Sequence, residues 1–438
     1  MSIVDDKSIF IAMKQNGPMA VGDNLSFDHP VSRNAREWAR AFNADSSLAT
    51  KYRSVRSHIF DLLQVENYRQ ILQLIDNEEI SRERANRAYI LLANLYGIHG
   101  DLDEIKRRVR EFANSADQVI DHLKSKVLAD YSSNIEISNE IEAIDNPVDL
   151  LLIVFNNRYH KKVRFEAKRK LVLMGLAASI DQREQEVDIE NKFSSFLKFL
   201  NRHVWSPDLK IGELRYAYLL SRHEPGDYKC TQVTVLEDVT DAESISINEQ
   251  ERLTLIKRRL FKWNGQDIPA YVTVRKKDSA ARILKLLRKN EKNPAVAVDD
   301  ELGLMAVLDS VADVKKFVRH LTQAAVKADS VMVLEDISDT LTGGSYDATS
   351  EGSSSSTSML KFFARLGGMR VEFIIHTNQT YLNYRYQRDV AHEEYEVKRV
   401  FDTGVAEFLF PQDIYLLDMN LIRERQLRNF RNVIEGSE

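Results

Sequence analysis

Between Pro30 and Pro207 the chain carries one proline, Pro147. Proline removes a helical hydrogen bond and collides with the preceding turn, so its near absence leaves room for long helices. The apolar pattern fills that room. Val55, Ile59, Leu62 and Leu63 recur at helical spacing in 53–63, and similar stretches run from Asn67 to Ile75 and from Ile80 to Tyr96. Gly97 and Gly100 break the pattern, and Asp101 stands where it caps the next helix, Leu102 to Ala113. Residues 35–206 therefore read as an all-α scaffold or regulatory domain. Residues 1–34, with Gly17, Pro18, Gly22 and Pro30, read as an irregular N-terminal arm.

The pattern changes at Pro207. Tyr228 to Val239 alternates and is rich in Thr and Val, as a strand is. Ile247 to Leu260 reads as a helix, Asn264-Gly265 as a turn and Ile268 to Val274 as a strand. Helix Ser279 to Lys289 follows, then strands Pro294 to Val298 and Leu304 to Leu308, helix Val311 to Val326 and strand Val331 to Glu335. Residues 338–358, with four consecutive serines from Ser353, read as a mobile loop. Strand Arg370 to His376, a helix near 380–399, strand Ala406 to Leu409 and a C-terminal helix complete the order. The expected fold class is α+β, an N-terminal helical domain followed at 207–438 by a small mixed sheet. The helix pairs of the first part loosely resemble a tetratricopeptide-type hairpin repeat, without a fixed period. Such scaffolds bind protein partners or parts of their own chain; a helical bundle with no partner is the other reading.

Totals narrow the classes. A single cysteine, Cys230, excludes an intramolecular disulfide and a cysteine zinc finger. No apolar run reaches the length of a membrane span, and the start of the chain lacks a signal-peptide pattern. The expected setting is cytoplasmic, with no membrane partner. The net charge of −5 gives no global case for nucleic acid; His160-Lys161-Lys162, Lys257-Arg258-Arg259 and Arg275-Lys276-Lys277 are local basic runs that read first as solvated faces, the last two also suiting RNA.

The chemistry concentrates around Val371-Glu-Phe-Ile-Ile-His-Thr377. Glu372 interrupts an apolar run and points away from Val371 and Phe373 if the run is a strand. A buried carboxylate needs a metal, a basic partner or a substrate hydroxyl. A second acidic strand end is expected at Val296-Ala-Val-Asp-Asp300. Arg275, Lys277, Lys285, Arg288, Asp300, Asp336, Glu372, His392 and Tyr395 offer what phosphoryl transfer requires: fixed positive charge, a carboxylate-held metal and a group that orients the attacking hydroxyl. Read singly, each is an ordinary surface or helix-face residue.

In order, these segments resemble the RelA/SpoT-type alarmone synthetases over roughly residues 240–410. Arg275-Lys-Lys277 with Lys285 is similar to their R-x-K…K segment. Asp300-Glu-Leu-Gly303 is similar to D-x-x-G-x-R, Val333-Leu-Glu-Asp336 to a strand ending in Asp, Glu372-Phe-Ile-Ile-His-Thr377 to E-x-Q-I-R-T, and Ala391-His392-Glu-Glu-Tyr395 to A-H-W-x-Y. The resemblance implies a nucleotidyltransferase-like fold and ATP-dependent transfer of pyrophosphate to a ribose hydroxyl. It implies that Asp300 and Glu372 are catalytic and hold Mg²⁺. Arg275, Lys277 and Lys285 would hold the ATP phosphates, with Arg288 and His392 as further nucleotide contacts; Tyr346 of Gly344-Ser-Tyr346 would stack on the acceptor base, its other reading being an exposed loop tyrosine. Met305, Ile374, His376 and Glu393 stand where that family has Arg, Gln, Arg and Trp. No His-Asp dipeptide occurs, so the helical part does not resemble the hydrolase of bifunctional members. The expected function is a divergent pyrophosphokinase or nucleotidyltransferase acting on a nucleotide or tRNA, gated by the helical part, as a toxin or stress effector would be. The alternative is a nucleotide-binding module that has lost the chemistry.

Overall fold

The computed structural model describes residues 46–206, 215–237, 246–291, 293–298, 302–343 and 357–435. The arm at 1–34 and the serine run lie outside them. In chain order the main elements are α1 (Ser46–Leu63), α2 (Tyr68–Ile75), α3 (Glu78–Tyr96), α4 (Leu102–Lys126), α5 (Pro147–Phe155), α6 (Lys161–Val187) and α7 (Ile189–Phe199). Strands β1 (Arg215–His223), β2 (Cys230–Leu236), β3 (Glu251–Trp263) and β4 (Gln266–Lys276) precede α8 (Ser279–Lys289). There follow β5 (Leu302–Leu308), α9 (Val311–Lys327), β6 (Val333–Asp339), β7 (Leu360–Leu366) and β8 (Met369–Thr377). Helices α10 (Asn378–Tyr386), α11 (His392–Asp402), α12 (Val405–Leu409) and α13 (Met419–Glu435) end the order. The fold is mixed α+β, a helical region followed by an eight-stranded mixed sheet. Among the described residues no helix is long and apolar enough to cross a membrane.

Two compact units form, and they interleave along the chain. The first takes residues up to Arg183 together with Asp278–Ala295 and Val400–Ile422; the second takes Glu184–Lys277, Val296–Arg399 and Arg423 onward. This differs from a single boundary at 206. The cause is local chemistry. Helix α8 turns Ile283, Leu284, Leu286 and Leu287 inward and packs on α4. Residues 409–415 are tied to α6 by buried charge: Arg169 donates to the Leu409 carbonyl and the Tyr415 hydroxyl, each at 2.9 Å, and that hydroxyl donates to Glu166 at 3.0 Å. Ser138 N–H satisfies the other Glu166 oxygen at 2.9 Å.

In the first unit the caps read from sequence are present. Asp101 accepts from Asp103 and Glu104 N–H, and Gly97 ends α3 with φ +67°. Ile59, Leu63, Ile71, Leu74, Val148, Leu151 and Phe155 form its apolar core.

In the second unit the strand order is β2-β1-β3-β4-β5-β8-β7-β6. Among the described strands only β5 and β8 pair in parallel; the other pairings are antiparallel. Asn264 and Gly265, both at positive φ, close the two-residue β3–β4 hairpin as expected. One sheet face, with Leu304, Ala306, Phe362, Val371, Phe373 and Ile375, packs on Phe196 of α7 and on Val314, Phe317 and Leu321 of α9.

Several element expectations are corrected. The segment read as a helix over 247–260 is strand from Glu251 on: Thr254, Ile256 and Arg258 face inward while Leu255 and Lys257 face out, a period of two. Residues Ala295–Val298 form a helical turn rather than a strand, because Asn293 Oδ1 accepts from Ala295 N–H at 3.0 Å. Residues Val405–Leu409 are helical, with Phe408 N–H bonded to the Gly404 carbonyl at 2.9 Å. The helix expected near 380–399 is two helices, parted where Gln387 turns extended and Asp389 takes φ +60°. Strands β1 and β7 were not expected, and the sheet is larger than a small one.

The buried tie in the first unit sets an expected outcome. Tyr415→Phe leaves Glu166 and Arg169 each short of one partner inside the unit. It should cost about 1–3 kcal/mol of stability, read as a lower urea midpoint with an unchanged slope.

Candidate active site

The face of the second unit's sheet opposite α7 and α9 carries the polar groups. Along β8 it presents Glu372, Ile374 and His376, and the register pairs these with Gly303, Met305 and Val307 of β5. Next to β5, Arg275 of β4 pairs with Gly303. One rung therefore runs Arg275–Gly303–Glu372 across three strands.

Glu372 is held by two cations. Arg275 Nη2 donates to Oε2 at 3.1 Å, and Lys361 Nζ stands 3.1 Å from Oε1. The exposures differ: the Glu372 and Lys361 side chains are 7% and 8% accessible, the Arg275 side chain 47%. Gly303 makes the reach possible. A Cβ there would lie 3.1 Å from Arg275 Nε and 3.4 Å from its Cγ, so the arginine crosses β5 in the space a side chain would fill.

Behind this rung lies an aromatic layer from α10 and α11. Tyr384 stacks on His392 with ring centroids 5.1 Å apart and lies 5.2 Å from His376. Burial pushes the Tyr384 hydroxyl up to about 12, against the pull of Arg275. His392 is held below its ordinary pKa, first by burial, with Glu396 and Glu393 pulling upward. His376 is fully buried and its Nε2 makes no hydrogen bond. Burial depresses it to about 4, while the Ser358 backbone pulls the other way. Met305 joins Tyr381, Leu382 and Val307 in an apolar cluster on this face.

A second ion cluster continues the face toward the sheet edge. Glu335 accepts from Arg365 at 2.8 Å, Arg370 Nη2 donates to Asp336 at 2.8 Å, and the Arg370 guanidinium lies 3.6 Å from the Phe363 ring centroid. Asp336, expected at a strand end, instead occupies a register shift within β6 at φ +49°.

Of the residues singled out from sequence, Arg275, Glu372 and His392 share this neighbourhood, and Lys277 follows β4 directly. Lys285 and Arg288 ride on α8 in the first unit. Asp300 and Tyr346 lie outside the described residues. Sequence reading missed Lys361 and Tyr384. The alternation in Leu360-Lys-Phe-Phe-Ala-Arg-Leu366 was the available signal for Lys361, since it turns Lys361, Phe363 and Arg365 to one face. Among the described residues no three His, Cys, Asp or Glu side chains gather as metal ligands. Both Glu372 oxygens are already engaged by cations, so the described groups alone do not fit a magnesium site. Comparison with family models, curated proteins and solved structures returned no match to the chain.

Two outcomes follow from burial. Lys361→Met deprives a buried carboxylate of its buried cation and should cost about 3 kcal/mol or more. Arg275→Met should cost about 1 kcal/mol or less, since its charge is solvent-screened. Urea unfolding of both variants measures the difference. For His376, the unfolded state binds a proton near pH 6.5 and the folded state only near 4. Stability tied to it is therefore present above pH 6.5 and declines as pH falls toward 4, by up to about 3 kcal/mol. Unfolding free energies of His376→Leu across that window should fall less steeply than those of the parent.

Proposed function

We propose that the sheet-bearing unit is a divergent RelA/SpoT-like nucleotidyltransferase domain. It takes ATP and transfers pyrophosphate, or a nucleotidyl group, to a ribose hydroxyl of a nucleotide or tRNA. The observation that carries the reading is the rung Arg275–Gly303–Glu372. Three segments that resemble motifs of that family meet side by side on adjacent strands. The order β4, α8, β5, α9, β6, β7, β8, α10, α11 also follows the order of those motifs.

In this reading Glu372 fixes the Arg275 guanidinium, whose accessible edge donates to phosphate oxygens in a planar fork. Lys361 keeps Glu372 neutralised when Arg275 shares its charge with a phosphate. Tyr384 and His392 form the aromatic wall behind them. Magnesium would add charge neutralisation on the phosphates; Asp300 is the carboxylate left for it, and no step is assigned through it. The helical region is the regulatory or partner-binding scaffold of the same proposal.

One observation favours a second reading, nucleotide binding without turnover. Both oxygens of the carboxylate implied as a metal ligand accept from cations, and Met305 sits in an apolar cluster where the family has an arginine.

A labelled-ATP assay on the full-length protein separates the readings. γ-labelled and α-labelled ATP are supplied in parallel with Mg²⁺ and either mixed nucleotides or total tRNA. Label moving to a nucleotide or RNA is the expected result, γ-label marking pyrophosphate transfer and α-label nucleotidyl transfer. Arg275→Gln and Asp300→Ala should each lower the rate about 100-fold. ATP binding with no transfer selects the second reading. Transfer unaffected by both substitutions removes the site from the reaction.

A further inference from the structure

The basic run Lys257-Arg258-Arg259 divides between the two faces of the sheet. Arg258 turns inward and pairs with Asp309 at 2.9 Å. Lys257 and Arg259 turn to the opposite face. There Lys257 Nζ stands 5.6 Å from the Tyr216 ring centroid, and the Arg259 guanidinium stands 5.8 Å from that of Trp205. Further along the same face of β3, Arg319 of α9 lies 5.8 Å from the Trp263 centroid. None of these three cations makes an ion pair with a described carboxylate. Burial holds Arg259 below its ordinary pKa with no acidic neighbour opposing it.

Beside the Lys257–Tyr216 pair, toward Leu255, the floor is apolar and open. In register, Tyr216 pairs with Lys257 and Tyr218 with Leu255. Tyr216 is 48% exposed and Leu255 46%. Helix α9 covers this face only at Phe261 and beyond, where Phe317 and His320 pack on it.

We propose that this face of β1 and β3 binds single-stranded nucleic acid, with bases stacked on Tyr216 and Tyr218 and phosphates held by Lys257, Arg259 and Arg319. The chemistry selects that ligand. Lys257 to Trp263 spans about 20 Å of strand, so charge and aromatic surface are strung out along a line. A single strand offers both phosphates and free base faces along its length. A duplex keeps its base faces covered, and an acidic peptide satisfies the cations while leaving the tyrosines unused. The proposal requires no ATP turnover and stands apart from the transferase reading.

Fluorescence anisotropy of the full-length protein, without ATP, tests it. The probe is a fluorescein-labelled RNA of mixed sequence, about 12 nucleotides long, with the matching DNA strand, the duplex and a phosphorylated acidic peptide as comparisons. The expected result is binding of the single strands that weakens about 10-fold or more between about 50 and 200 mM salt. Tyr216→Ala should weaken it about 10-fold, Tyr216→Phe should restore it, and Lys257→Glu should weaken it and flatten the salt dependence. Both residues are exposed, so melting temperatures should stay at the parent value. The idea is overturned by no binding at low salt, by equal binding in Tyr216→Ala and Lys257→Glu, or by equally tight binding of the duplex or the peptide.

Discussion

A carboxylate buried in the middle of a sheet is the constraint on which the second unit turns. Glu372 cannot be left without compensation in that position, since a desolvated charge costs several kcal/mol. Its two partners come from strands on either side, Arg275 from β4 and Lys361 from β7. Both contacts demand the observed register. A one-residue slip of β8 would carry Glu372 into the apolar layer of Phe362 and Phe373 and bring Phe373 to the cations. Gly303 fits the same demand, because a side chain there would crowd the arginine where it crosses to Glu372.

The parallel β5–β8 pair follows from the same arrangement. Parallel neighbours need a long crossover, and here α9, β6 and β7 intervene between them. Helix α9 uses its apolar stripe to close the face away from Glu372, through Val314, Phe317 and Leu321. The sheet is thus sealed by apolar packing on one side at its centre. Polar and aromatic side chains occupy the other. Over Tyr216 and Leu255 the outer face stays open, and along β3 the cations Lys257 and Arg259 rest on aromatic rings instead of on carboxylates.

Much of this was legible residue by residue. Asn264-Gly265 and Asp101 act through local backbone chemistry, and they behave as their sequence context says. Helix α8 was read with its observed bounds, because its apolar stripe repeats at helical spacing. Where packing decides, the reading failed. Leu253 to Phe261 carries apolar residues on both faces of a strand covered differently at its two ends, which mimics a helical stripe. Glu372 stood out because a charge inside an apolar run is rare. Lys361 did not, since a lysine in Leu-Lys-Phe-Phe looks like any solvated residue until β7 is set beside β8. The division into units was illegible for the same reason: nothing local to Arg169 and Tyr415, far apart in sequence, announces that they meet.

The unequal exposure of the two cations around Glu372 bears most directly on function. Lys361 is as buried as the carboxylate, so its charge is spent within the protein. Arg275 reaches Glu372 with one Nη while nearly half of its side chain stays accessible. A guanidinium has five donors, and one bond to Glu372 leaves its fork oriented rather than consumed. An exposed arginine on a flexible stem would pay rotamer entropy to meet a phosphate; one already pinned by a buried carboxylate has lost that freedom on folding. In the proposed reading Glu372 serves by aiming a cation, a role that does not require it to bind metal. That assignment accounts for a carboxylate with both oxygens engaged, a glycine beneath the arginine, and an arginine that is both fixed and reachable.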